Sequence, residues 1–352
     1  MKTLSNVLKS DISDIVNNVC IPWQEMQNKA IFITGATGLI GSMLIRTLSA
    51  ANVEHDLNIR IIIHGRTNKK TEALARENGA EYIISDIREP ISTASLLQTI
   101  DYIFHCAAIT NSATMVANPV DVITTAVNGT NNTLKLAAER NCKSYVYLSS
   151  MEVYGYTELQ EVNESNLGYL DLTNPRSSYP VSKRGCEALC AAYNSQYNVP
   201  VKIARPAQTF GAGTPKDDTR VFAQFARSAL SGSDIELHTE GNSRGNYCYT
   251  ADAISGLLTI LLKGKNNETY NIANTSATIR EMAELVAKDI CDGKIKTVVN
   301  IPKDISKRGY APAAGHTLNT DKLKTLGWKP KYELDDMYKR MLDDWKENTG
   351  NL

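Results

Sequence analysis

Long apolar runs are missing from this sequence. The longest, 253–262 (AISGLLTILL), is about half of the roughly 20 residues a bilayer requires, so it reads as a buried helix and a membrane partner is not expected. Excess charge is missing as well. Thirty-eight Lys+Arg balance 38 Asp+Glu, which gives no bulk attraction to phosphate backbones and no reason to expect a nucleic-acid partner. The first 28 residues hold Asp11, Asp14 and scattered Asn where a secretory leader needs a continuous apolar stretch, so a cytoplasmic chain is expected. None of the seven cysteines (Cys20, Cys106, Cys142, Cys186, Cys190, Cys248, Cys291) forms a C-x-x-C pair, and none of the five histidines falls in H-x-x-x-H. They read as reduced thiols without a metal site.

What is present is a rhythm. Short apolar runs at 30–34 (AIFIT), 58–64 (NIRIIIH), 81–85 (EYIIS), 101–106 (DYIFHC), 144–149 (SYVYLS) and 201–204 (VKIA) alternate with stretches of helical spacing such as 39–51 and 130–139. Strand, helix, strand in repetition predicts an α/β fold, a Rossmann-type doubly wound parallel sheet covered on both faces. After Pro206 the rhythm changes, with helices expected at 220–230, 252–262 and 279–287 between Gly- and Asp-containing loops. The expected organisation is a helical extension at 1–29, a cofactor domain at 30–205 to which the chain returns at 242–263, and a smaller C-terminal α/β substrate-binding cap at 206–241 and 264–345.

Residues 34–41 read TGATGLIG between an apolar strand and an amphipathic helix. Gly35 permits the tight turn, Gly38 lets the backbone approach a pyrophosphate, and Gly41 lets helix and strand pack closely. Thr37, Leu39 and Ile40 lie around the helix N-terminus that would hold the phosphates. The second strand ends in His64-Gly65-Arg66-Thr67-Asn68-Lys69-Lys70, without the carboxylate that would bond a ribose 2′-hydroxyl. Arg66 therefore favours NADP(H), with NAD(H) as the alternative if these cations form only a solvated turn. Asp86 and Ile87, after the third strand, are expected beside the adenine.

Of the 16 tyrosines, Tyr179 alone has a lysine four residues later, Lys183, in SSYPVSKRG. Pro180 suits a first helical turn and Ser177 or Ser178 a cap, so both side chains share one helix face. An ammonium there lowers the phenol pKa, and a phenolate can take the proton of a carbinol whose hydride leaves for a nicotinamide.

With these motifs in hand, the sequence resembles the extended short-chain dehydrogenase/reductases, which modify sugar nucleotides. The resemblance runs through TGATGLIG at 34–41, HCAAIT at 105–110, Asn128-Gly129-Thr130, YLSSMEVYG at 147–155, YPVSK at 179–183, RPAQTFG at 205–211, YCYTAD at 247–252 and LGWKP at 326–330. It implies that Ser150 bonds the reacting sugar oxygen, that Tyr179 is the acid/base, and that Lys183 holds the ribose and tunes the tyrosine. It also implies that Ala107, Ala108, Thr110, Asn128, Pro206 and Ala207 line the cofactor, that a nucleotide-diphosphate sugar lies between the domains, and that the protein is a homodimer through helices beside Tyr179, with 186–193 taking part.

Three departures from the family pattern bear on the reaction. Met151 and Glu152 replace the Asp-Glu pair of 4,6-dehydratases, and a methionine cannot protonate a leaving hydroxyl, so Glu152 alone remains a catalytic candidate. Gln208 stands for the usual substrate-binding Asn. Gly245 stands where the diphosphate-binding Arg is expected, leaving Arg244 through a bulge, or Arg220 or Arg308, to hold the diphosphate. The expected function is an NAD(P)-dependent nucleotide-sugar enzyme of the epimerase, dehydratase or decarboxylase type. A net NADPH-dependent reductase of a keto-sugar is the alternative, and a non-catalytic dinucleotide sensor the third reading.

Overall fold

The computed structural model describes residues 4–91, 99–301 and 315–348. In chain order it contains helix α1 (Asn6–Val16), strand β1 (Ala30–Thr34), α2 (Leu39–His55), β2 (Arg60–Gly65), α3 (Asn68–Asn78), β3 (Glu81–Ile84), β4 (Tyr102–His105), α4 (Ser112–Ala117), α5 (Pro119–Glu139) and β5 (Ser144–Leu148). There follow β6 (Glu161–Val162), α6 (Ser178–Tyr197), β7 (Val201–Pro206), β8 (Gln208–Phe210), α7 (Val221–Ser231), β9 (Ile235–Leu237), β10 (Arg244–Tyr249), α8 (Thr250–Lys263), β11 (Glu268–Ile272) and β12 (Thr275–Thr278). The chain ends with α9 (Ile279–Leu285), β13 (Thr297–Val299), β14 (Thr317–Leu318), α10 (Asp321–Lys324) and α11 (Leu334–Glu347).

Seven strands form the central sheet in the order β11-β7-β5-β4-β1-β2-β3, every pair parallel. Strands buried on both faces must be apolar on both, and β1 is: Ile31 and Ile33 enter the core with α2 and α8, while Phe32 between them enters the core with α5 and α6. β5 alternates in the same way, with Val146 on the first side and Tyr145 and Tyr147 on the second. The strand order reverses between β1 and β4, so a crevice opens there at the carboxyl ends of the strands.

Two segments differ from the expected division. β11, placed by its sequence in the cap segment 264–345, is the edge strand of the large sheet beside β7. Its ETYNI carries only two large apolar side chains, Tyr270 and Ile272, because an edge strand needs less of an apolar run than an inner one. Of the segment 242–263, only α8 returns to the large sheet, where Ser144 Oγ and Lys202 Nζ donate to the carbonyl of Leu261 at 2.8 and 3.1 Å. β10 instead pairs with β8 in parallel and with β12 antiparallel in a small second sheet.

Helix α1 buries Leu8, Ile12, Ile15 and Val16 against α2, α8 and α11. Helix α6 packs on α5. Cys186, Cys190 and Tyr193, expected at a subunit interface, are buried in the chain's own core with Leu134 and Tyr145, because a stripe at i, i+4, i+7 on α6 faces the sheet. All seven cysteines are free. Among the described residues no helix is long and apolar enough to cross a membrane, and no group of three or more His, Cys, Asp and Glu is placed to hold a metal ion.

Candidate active site

The turn between β1 and α2 is built for a close approach. Gly35 has φ +68°, and a Cβ there would lie 2.8 Å from the backbone of Cys106 and Ala107 at the end of β4. A Cβ on Gly41 would meet the Gly35 carbonyl at 2.3 Å, so only glycine lets α2 start against the strand. A Cβ at Gly38 would meet nothing closer than the Gly35 oxygen at 3.3 Å. Gly38, the N-cap, is exposed and supplies no side-chain cap, so the first N–H groups of α2 at Leu39 and Ile40 remain free for a ligand. These residues fit the pyrophosphate of a dinucleotide. Thr37 is exposed beside them, and Ala107, Ala108 and Thr110 follow β4 in the chain.

At the adenine end the arrangement is partly as expected. Arg66 is exposed after β2. The carboxylate of Asp86 is held below its usual range first by its hydrogen bonds from Arg88 and, more weakly, by the charge of Arg66. Ile87, expected against the adenine, is buried, and a Cβ on Gly129 of α5 would lie 3.1 Å from it. Asn128 is exposed on α5 beside buried Gly129. Pro206 and Ala207 close β7, and the Ala207 N–H donates to Ile272 O of β11 at 2.8 Å.

The candidate chemical groups converge at the end of β5. Ser150 follows that strand, caps a short 3₁₀ turn over Met151–Tyr154 by accepting the Glu152 N–H at 3.2 Å, and lies near enough to the phenol of Tyr179 to lower its pKa. Tyr179 stands in the first turn of α6. Ser177 occupies the N-cap position without a side-chain bond; the entry is fixed instead by Asn174, which accepts the Arg176 N–H at 3.0 Å in the preceding turn. One helical turn on, Lys183 Nζ donates to Leu148 O at 2.5 Å and sits 4.8 Å from the Tyr147 ring centroid and 5.8 Å from that of Tyr179.

Burial sets the electrostatics. It pushes the Tyr179 phenol up to about 12, and the Glu152 carboxylate pushes in the same direction. The main counterweights are the nearby Ser150 hydroxyl and the charges of Arg176 and Arg220, not Lys183 as the i, i+4 spacing suggested. The reason is that burial acts on the lysine too and brings it down to about 8, still charged at neutral pH. The site therefore holds a neutral phenol, a hydroxyl beside it and an ammonium nearby, a set that can pass a proton to and from a carbinol once a further positive charge enters.

Two contributors escape a motif-based reading. Arg176, buried three residues before Tyr179, pairs with Glu152 at 3.0 Å and fixes that carboxylate beside the phenol. Arg205 of β7 pairs with Glu187 of α6 at 2.6 Å, and Glu187 also accepts Ser149 Oγ at 2.5 Å, which ties α6 to the end of β5. An arginine three residues ahead of the tyrosine and a glutamate four after the lysine are the only signals in the sequence.

The proposed substrate contacts divide. Arg220, at the start of α7, pairs with Asp218 at 2.6 Å, and its charge lowers the Tyr179 pKa. Gln208 is half-buried in β8 opposite Tyr247. Arg244 does not reach in through a bulge: the β10–β12 ladder is regular, and its guanidinium bonds Ser276 O at 3.2 Å and Glu281 at 3.3 Å. A side chain at Gly245 would run into Tyr247 Oη at 2.6 Å, so the tyrosine fills the place of the absent arginine. Arg308 lies outside the described residues.

A family model for the NAD dependent epimerase/dehydratase family matches residues 31–273. UDP-glucuronic acid decarboxylase 5 of Arabidopsis thaliana is 31% identical over 328 residues, covering 92% of this chain and 91% of the relative. The dTDP-D-glucose 4,6-dehydratase of Mus musculus is 24% identical over 331 residues, 92% of this chain and 90% of its own. Among solved structures, UDP-glucose 4-epimerase of Thermotoga maritima with UDP-glucose superposes with TM-score 0.76 at 20% identity, over 91% of this chain and 99% of that one. UDP-glucuronic acid 4-epimerase of Bacillus cereus, with UDP-glucuronic acid and NAD, does so with TM-score 0.74 at 22% identity, over 90% and 99%.

Proposed function

The chain belongs to the NAD dependent epimerase/dehydratase family, and we propose that within it this protein is an NAD(P)-dependent enzyme acting on a nucleotide-diphosphate sugar by reversible oxidation of one sugar carbinol. The observation that carries the reading is the convergence of Ser150, Tyr179 and Lys183 at the crevice where the glycine turn opens. When bound, the nicotinamide supplies a hydride acceptor and later a hydride donor. Ser150 Oγ bonds the reacting hydroxyl; once the phenol beside a bound cationic nicotinamide has given up its own proton to solvent, Tyr179 Oη takes the hydroxyl proton, and the phenol so formed returns it when the ketone is reduced. Ala107, Ala108, Thr110, Pro206 and Ala207 line the cofactor.

Within this class a decarboxylase or epimerase is favoured over a 4,6-dehydratase. Met151 offers no proton to a leaving hydroxyl, whereas Glu152 is retained and held by Arg176. NADP(H) is the proposed cofactor, on the exposed Arg66 and the lack of a carboxylate at 64–70. The diphosphate falls to Arg220 and Gln208. A homodimer is proposed through the outward side of α5, where Val120, Ile123 and Val127 are exposed at helical spacing.

The deciding experiment is incubation with UDP-, GDP-, CDP- and dTDP-sugars, uronic acids included, following product mass and nicotinamide absorbance together. Loss of CO2 or isomerisation without net cofactor change is expected. Stoichiometric NADPH consumption would establish the net reductase instead.

A further inference from the structure

Among the described residues, 4–29 have no part in the site described so far, yet α1 is wired to it. Ser5, the N-cap of α1, accepts the Leu8 N–H at 3.1 Å and donates its hydroxyl to Asp344 Oδ1 of α11 at 2.5 Å. The second oxygen of Asp344 accepts the backbone N–H of Gly213 at 2.9 Å. The neighbouring Trp345 donates Nε1 to Thr214 O at 2.7 Å, and Thr214 Oγ1 accepts the Gly211 N–H at 3.0 Å. The short loop 211–214, which follows β8, is thus pinned from α11 at two consecutive residues and through one of them to the start of α1.

What the loop presses on gives this wiring a meaning. Gly213 has φ +87°, and a Cβ there would lie 3.4 Å from Leu39 Cδ1 and 3.9 Å from Leu8 Cδ1. Leu39 is the first residue of α2, whose uncapped N-terminus faces the dinucleotide site. Arg46, further along α2, lies within the field of the Asp344 carboxylate. Asp344 itself is buried and accepts from a side chain, a backbone amide and Asn348 Nδ2. A buried carboxylate so fully bonded is a fixed point of the structure.

We propose that Asp344 is a positioning residue for the dinucleotide: by joining Ser5 of α1 to the backbone of Gly213, it holds loop 211–214 against the first turn of α2. The N-terminal helix is then part of the cofactor site's support, and its loss is felt as faster release of the dinucleotide. This rests on the dinucleotide-binding reading above.

The test uses the full chain, with NADPH and NADH as probes. Ser5→Ala, Asp344→Asn and Asp344→Ala are compared with Leu323→Ala, a buried control under β11, by cofactor Kd, dissociation rate and the melting temperature of the ligand-free protein. Asp344→Ala is expected to raise the Kd of both probes about tenfold, mainly through dissociation, the scale of one lost charge-assisted hydrogen bond. Asp344→Asn, which keeps one acceptor, falls between; Leu323→Ala melts earlier with its Kd unchanged. If Asp344→Ala does not fold, Ser5→Ala and Asp344→Asn carry the comparison. Unchanged Kd in the Ser5 and Asp344 variants, or an equal rise in Leu323→Ala, overturns the proposal. Failure of the unaltered protein to bind either probe overturns the dinucleotide reading instead.

Discussion

Glu152 and Arg176 meet at 3.0 Å beside Tyr179, and the phenol feels both: the carboxylate raises its pKa and the guanidinium lowers it. Removing either partner should therefore move the phenol in opposite directions. In Arg176→Met the carboxylate stands uncompensated, the phenol loses its proton at higher pH, and turnover at neutral pH should fall by roughly ten- to a hundredfold. In Glu152→Gln the profile should shift toward lower pH, whatever happens to its height. Profiles of kcat/KM against pH check this, and shifts of the same sign in both variants would remove the electrostatic account.

Tyr179→Phe keeps the ring that packs among Met115 and Val122 and deletes only the hydroxyl that stands beside Ser150. Turnover should drop by roughly 10²–10⁴ while the cofactor binds within a few-fold of the unaltered protein. Steady-state rates and a fluorescence titration read the two effects separately. Full turnover in the variant would dismiss the phenol as the acid/base.

Arg66→Ala should weaken NADP(H) by about tenfold or more and leave NAD(H) nearly unaffected, since only the former carries a phosphate for the guanidinium. Parallel titrations with the two dinucleotides measure it. An equal loss for both, or none for either, would return the preference to NAD(H).

Lys202 is buried in β7, with Nζ donating to Ser144 Oγ at 2.6 Å, and burial lowers it to about 8. The unfolded chain keeps an ordinary lysine near ~10.4, so between these values it binds more protons than the folded one, and stability from this group rises with pH. Below about pH 8 both states are protonated and the folded state carries a constant penalty. Lys202→Met should therefore gain in melting temperature relative to the unaltered protein at pH 7, by roughly 2 °C, with the gap closing toward pH 10. Thermal scans across that range decide it; a gap independent of pH would mean that the lysine is not destabilised by its burial.

Much of this was legible in the sequence because it rests on local geometry. AIFIT followed by TGATGLIG can do little but end a buried strand in a tight turn, and it does so at Gly35 and Gly41. Tyr179 and Lys183 share a face because four residues make about one helical turn. The rest depends on partners distant in the chain. Nothing local to ETYNI says that β7 lies beside it, and nothing near Gly245 says that the Tyr247 ring occupies its flank. The phenol's environment is not local either: helical spacing puts Lys183 close, but burial, which a sequence does not display, raises the tyrosine and lowers the lysine.

Lys183 is bonded to the Leu148 carbonyl, a group of its own chain. An ammonium has three protons, and one is committed to the end of β5, which leaves two that diverge from a fixed nitrogen. Such a group suits two neighbouring hydroxyls, as on a ribose, and its tethered charge cannot follow a phosphate that moves along the cleft. A nitrogen so tethered keeps few rotamers to lose, so a ligand bonded there would cost little side-chain freedom.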